Sequence, residues 1–177
     1  MFFQELETER LCLKNISMDD EAFIYAHFSH GDVTQYLLDA EPLTDMQGAR
    51  EIIQNFTQPE PRSHHRWILV RKEDGKKIGT CGFHCWDRSA QSCDVGYDLS
   101  PEFEGKGYMS EALRAILAFA RDVMDIRRVN ACIYPENTKS VKIAERFGFV
   151  FCGLMKDEIF RGTKYPHKIF VLQYGTK

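Results

Sequence analysis

Val95-Gly96-Tyr97-Asp98-Leu99-Ser100-Pro101-Glu102-Phe103-Glu104-Gly105-Lys106-Gly107-Tyr108-Met109 is the stretch on which the fold turns. It reads as a strand that runs into a glycine-bearing loop, and the loop opens a long helix. Over 109–124, Ala112, Leu113, Ile116, Leu117, Ala120, Val123 and Met124 recur at three and four residues and form one apolar stripe. A loop at the start of such a helix points backbone N–H groups and the positive end of the helix dipole at one spot. Its glycines let the backbone approach an anion with no Cβ in the way. A pyrophosphate is the natural guest; a surface loop with a glycine helix start is the alternative.

Two other phosphate-binding designs fail here. A P-loop needs Gly-x-x-x-x-Gly-Lys-Ser/Thr, but Gly107 is followed by Tyr108. A dinucleotide fingerprint needs a third glycine where Ser110 stands and an acid at the end of the next strand, and that strand ends near Tyr134. The loop belongs to a different design.

Downstream, Tyr134-Pro135-Glu136-Asn137-Thr138-Lys139-Ser140 leads on to Arg146-Phe147-Gly148-Phe149. Pro135 ends a strand over 129–134. Asn137 or Thr138 caps a helix over 138–147, with Gly148 at its C-terminal cap and Ser140 in its first turn. Strands over 149–152 and 169–174 close the sheet. Upstream, Leu11 and Leu13 share one face of a strand over 10–15. Ser17 to Asp20 supplies the start of a helix to about Ser29, and Thr44 with Gln47 reads as a capping box for a helix to about Phe56. Strands over 67–70 and 78–83 are joined by a turn at Asp74-Gly75, and 93–99 follows as the next strand. The order predicts an antiparallel first half and then a βαβα unit, in one domain over 1–177.

Composition sets the class. Apolar residues make up 44% and charged residues 28% of the 177, as in an ordinary globular protein. A net charge of −3 with no block of like charge argues against a nucleic-acid binder. No run reaches the roughly 18 apolar residues of a membrane span, and the first ten residues do not resemble a signal peptide. The six cysteines sit in apolar or alternating segments and read as reduced thiols in a cytoplasm. His84 between Cys81 and Cys85 lacks a second ligand pair, and strand alternation sets it on the face opposite the two thiols, so no metal is expected. His64-His65 reads as a loop pair before a strand, with substrate contact as the alternative.

With these motifs in order, the chain resembles the GCN5-related N-acetyltransferases, and most of all their ribosomal-protein N-terminal branch. Thr8-Glu9-Arg10-Leu11, Ile78-Gly79, Val95-Gly96-Tyr97, Gly105-Lys106-Gly107-Tyr108, Pro135-Glu136-Asn137-Thr138-x-Ser140 and Gly148-Phe149 carry the resemblance nearly end to end. It implies an α+β fold: a mixed, mostly antiparallel sheet of about seven strands, flanked by about four helices, with splayed central strands. It also implies acetyl-CoA as cofactor. Tyr97, Asp98 and Leu99 would pair with the pantetheine arm as another strand would. Glu104, Gly105, Lys106, Gly107, Tyr108, Met109 and Ser110 would wrap the pyrophosphate. Asn137 would touch the pantetheine or substrate region. Gly107 matches the family pattern Gln/Arg-x-x-Gly-x-Gly/Ala, whereas Glu104 and Met109 depart from it. A carboxylate at Glu104 is unfavourable beside a phosphate unless it points to solvent.

The implied reaction is direct attack of a primary amine on the thioester, the amine being a protein N-terminus or a small molecule. Many family members protonate the leaving thiolate with a Tyr seven residues after the Asn; here that position is Ala144. The ribosomal-protein branch implies Ser140 as the acid and Glu158 as the base, with Asp94 and Asp98 as other candidates for the base. Polyamine or drug acetylation, or a non-catalytic CoA-binding module, are the alternatives. Neither nucleic acid nor membrane is expected as a partner, and the chain would be a monomer or homodimer.

Overall fold

Alternation along the strand His65–Arg71 (β3) sorts the core into two layers. Trp67 and Leu69 point to one face of the sheet and Ile68 to the other, since successive side chains in a strand point to opposite faces. The first face packs on the helix Tyr108–Asp122 (α4), whose stripe of Met109, Ala112, Leu113, Ile116, Leu117 and Ala120 is buried. The second packs on Glu21–Ser29 (α1) and Met46–Phe56 (α3) through Ile24, Phe28, Ala49 and Ile53.

The computed structural model describes residues 2–175. The other strands are Leu6–Glu7 (β1), Leu11–Asn15 (β2), Lys77–Asp87 (β4), Ser92–Leu99 (β5), Arg128–Ile133 (β6), Val150–Phe160 (β7) and Thr163–Gln173 (β8). They form one sheet in the order β1-β2-β3-β4-β5-β6-β8-β7. Every pairing is antiparallel except β5 with β6. The helices Gly31–Thr34 (α2) and Thr138–Arg146 (α5) complete the set.

That one parallel pairing places the site. It covers Ser92↔Arg128, Cys93↔Val129 and Asp94↔Asn130 and stops there. β5 continues to Leu99 against β4, and β6 continues to Ile133 against β8. The two strands diverge into a V at the middle of the sheet.

Several elements differ from the sequence reading. Among the described residues the sheet has eight strands, one more than expected, since β1, only two residues long, is too short to show a pattern. Among the same residues there are five α-helices, one more than expected, the addition being α2, a single turn capped by His30. The N-cap of α3 is Asp45, whose Oδ1 accepts the Gly48 N–H at 3.0 Å, not Thr44. β4 bulges near Cys85, which has φ 52°, so alternation breaks there. β7 and β8 are each 11 residues long. The C-terminal cap of α5 is as expected. Gly148, at φ 83°, donates to Glu145 O and Phe149 donates to Ala144 O, both at 3.0 Å, a Schellman motif. Among the described residues, no helix is long and apolar enough to cross a membrane.

Candidate active site

The loop before α4 takes its shape from two glycines. Gly105 has φ 73° and Gly107, the N-cap of α4, has φ 82°. Such left-handed backbone costs a residue with a Cβ about 1–2 kcal/mol. The loop is braced from the turn between β1 and β2. Glu111, on the first turns of α4, accepts from Arg10 N at 2.7 Å, Arg10 Nε at 2.6 Å and Thr8 Oγ1 at 2.5 Å. Arg10 Nη1 also donates to Lys106 O at 3.0 Å, and its guanidinium lies 4.6 Å from the Tyr108 ring centre. The Thr8-Glu9-Arg10-Leu11 motif therefore holds the loop in place. The motif was visible in the sequence, but its partner 101 residues away was not.

Two cavities open on the two sides of the V. One, of about 720 Å³, runs from the loop to the start of α5. Gly105, Gly107, Tyr108, Met109 and Ser110 line its loop end, and Glu104 stands on its rim in an ion pair with Lys139 of α5. That pair sets a cation against the Glu104 carboxylate at the rim of the cleft. Leu99 lines the strand side. Lys106 is off the wall; its Nζ turns back to Glu102 O at 2.7 Å. The second cavity, of about 680 Å³, lies between the V and the α1–α3 layer. Arg66, His84, Asp94, Lys156 and Glu158 line it. Tyr97, Asp98, Asn137 and Ser140 line both, so the cavities meet at the mouth of the V.

Asn137 holds one corner of this junction. Its Oδ1 accepts the Ser140 N–H at 3.2 Å, capping α5, and Tyr97 OH donates to Ser140 O at 3.3 Å. The Ser140 backbone is thereby held at the first turn of α5, and the residue lines both cavities where they join.

The model of the GNAT acetyltransferase domain matches residues 10–150. The chain belongs to that family. It is 32% identical over 155 residues to an N-acetyltransferase p20 of Bacillus licheniformis, covering 87% of this chain and 86% of that one. Among solved structures, a ribosomal L7/L12 alpha-N-protein acetyltransferase in complex with coenzyme A superposes with TM-score 0.84 at 19% identity, covering 96% and 98% of the two chains. A spermidine N-acetyltransferase of Vibrio cholerae, in complex with CoA and spermine, gives TM-score 0.82 at 18% identity and covers 94% and 96%.

This N-acetyltransferase uses acetyl-CoA, and the loop-side cavity fits it. Two left-handed glycines at a helix start offer bare N–H groups to a pyrophosphate, and the β5 edge beyond Asp94 is open to an extended arm. When bound, acetyl-CoA supplies the activated acyl group.

Asp98 does more than border the cleft. Its carboxylate, 7% exposed, accepts from His27 Nε2 at 2.6 Å, Arg66 Nη1 at 3.0 Å, Thr80 N at 3.0 Å and Thr80 Oγ1 at 2.8 Å. Burial works against its ionisation, but the His27 hydrogen bond and the charges of His27 and Arg66 outweigh it and hold the carboxyl below the usual range. Its four protein donors leave it a cross-link between β3, β4, β5 and α1. Asp94 accepts from Asn130 Nδ2 at 2.8 Å, and Glu158 is 2.6 Å from Lys156 Nζ. Ala144 is buried in the core, away from both cavities. His65 is buried too: it stacks on Phe3 at 4.2 Å between centroids and bonds Arg62 and Asn15, each at 2.9 Å. Burial, then the Arg62 charge, push its pKa down to about 3, so it is a neutral core residue and not a substrate contact. Among the described residues, no cluster of three His, Cys, Asp or Glu suits a metal.

Proposed function

We propose that this acetyltransferase moves an acetyl group from acetyl-CoA to a primary amine by direct attack in a ternary complex. The single observation behind this is the meeting of two cavities at Tyr97, Asp98, Asn137 and Ser140. The cofactor enters from the loop side and the amine from the α1–α3 side. The acceptor is a protein N-terminal amine or a small-molecule amine, and the two solved relatives named above act on one of each kind. Ser140 is the acid that protonates the leaving thiolate, directly or through a water, supported by its place at the junction. Glu158 draws the acceptor's ammonium into its cavity and is a carboxylate acceptor for its proton. The cytoplasm is the compartment that suits six unpaired cysteines.

The test is thiol release from acetyl-CoA against a panel of amines that includes short peptides with free N-termini and spermine. Turnover with any amine supports the reading; CoA binding with no turnover on the whole panel would make the chain a binding module. Ser140→Ala is expected to lower kcat by at least about tenfold, since positioned acids contribute on the order of 10²–10⁴. CoA affinity should stay within about twofold, because the cap uses the Ser140 backbone and not its hydroxyl. An unchanged kcat would remove Ser140 from the chemistry.

A further inference from the structure

Among the titratable side chains that line the acceptor cavity, His84 has no part in the mechanism above. His84 lies on β4 directly across from Asp94 of β5. It is half-buried and lines the cavity. Its ring lies over Gly96: a Cβ on that glycine would stand 3.5 Å from His84 Cε1 and 3.8 Å from Nδ1. The imidazole thus stands beside Gly96, one residue before Tyr97, where the cavities join. The neighbouring bulge at Cys85 ends the regular pairing, so His84 is the last β4 residue set against β5 before the strand kinks.

Three carboxylates nearby already have protein partners: Asp98 has His27, Arg66 and Thr80, Asp94 has Asn130, and Glu158 has Lys156. Among the described residues, none hydrogen-bonds a ring nitrogen of His84. The charged groups facing it are Asp94 from β5, Arg66 from β3, Lys156 from β7 and Asp39 from the segment before α3. Burial lowers its pKa, and Asp94 pulls the other way without overcoming it. The imidazole is therefore neutral at neutral pH, with a lone pair to offer.

We propose that His84 is a second proton acceptor for the amine in the acceptor cavity, beside Glu158. This rests on the acetyl-transfer reading. The substrate ammonium gives one proton to a ring nitrogen of His84. The freed nitrogen lone pair forms the C–N bond to the acyl carbon as the C–S bond breaks. The second amine proton ends on the sulfur, giving the CoA thiol, and the imidazolium returns its proton to water through the open cavity.

The test is the pH–rate profile of His84→Gln, run with acetyl-CoA and a free-N-terminus peptide or spermine. Glutamine keeps a polar group of similar reach but takes no proton. Expected is a fall in kcat/KM of about 10² at pH 7, with CoA affinity unchanged. The deficit should shrink as pH rises, because the amine then deprotonates unaided. The wild-type acid limb, with its midpoint below 6.5, should be missing from the variant. A variant profile that overlays the wild type would overturn the proposal and leave Glu158 as the sole acceptor. If His84→Gln loses CoA binding, imidazole NMR on the wild-type chain with CoA decides: the amine must perturb the His84 ring nitrogens, and unperturbed signals overturn the role. Wild-type inactivity on the whole amine panel would overturn the acetyl-transfer reading together with this proposal, an outcome distinct from an active wild type and an indifferent variant.

Discussion

Replacing Gly107 with valine is expected to weaken CoA binding by more than tenfold. Gly107 sits at φ 82° as the N-cap of α4. A β-branched residue is a true outlier there. Leaving the left-handed region removes about 1–2 kcal/mol of strain, but it rotates the peptide N–H groups that face the cleft. A new Cβ would also come 3.4 Å from Arg10 Nη2 and press on the brace that holds the Lys106 carbonyl. Since about 1.4 kcal/mol is a factor of ten, a modest misalignment of the donors reaches the expected loss. Gly75→Val is the control, because Gly75 has φ 70° in the β3–β4 turn and lies on neither cavity wall. It should cost similar stability and leave affinity alone. Isothermal titration of CoA separates the two; equal affinities would show that the loop does not hold the cofactor.

Asp98→Ala is expected to be the most destabilising change at the site. It leaves Arg66 and the Thr80 N–H and hydroxyl without their acceptor in a buried place. Breaking a buried pair from one side costs about 3–5 kcal/mol, out of a total of about 5–15 kcal/mol for a domain. At roughly 2–4 °C per kcal/mol for a chain of this size, Tm should fall by about 6–20 °C. Acid shows the same group. A carboxyl held below its usual range stabilises the fold above the unfolded value near 3.9. That stability is lost as pH falls toward the lowered folded value. Wild type should therefore lose stability more steeply than Asp98→Ala below about pH 4. Parallel acid titrations of the two, or a Tm shift under about 2 °C, would show that the network contributes little.

Local chemistry was legible in the sequence and long-range pairing was not. The strand–loop–helix of 95–109, the Asn137 cap and the Gly148 stop were all readable, because each is a decision of a few neighbouring residues. Asp98 was read as cofactor backbone and candidate base. Its actual partners, His27, Arg66 and Thr80, reach it only through the β3-β4-β5 pairing and the α1 packing. His84 invites only a metal reading in the sequence, because it stands between Cys81 and Cys85, and the bulge at Cys85 does not show in the alternation. β7 was cut short at Cys152, where Gly153, at φ 85°, and a register shift interrupt a strand that runs on to Phe160. Most of that edge strand is exposed, so it shows no buried alternation to read.

The most direct measurement is a crystal structure with CoA bound. Expected is the pyrophosphate on the Gly105 and Gly107 backbone, the arm along β5 beyond Asp94, and the thiol at the junction lined by Tyr97, Asn137 and Ser140. A cofactor bound outside the V, or a thiol pointing away from the acceptor cavity, would contradict it.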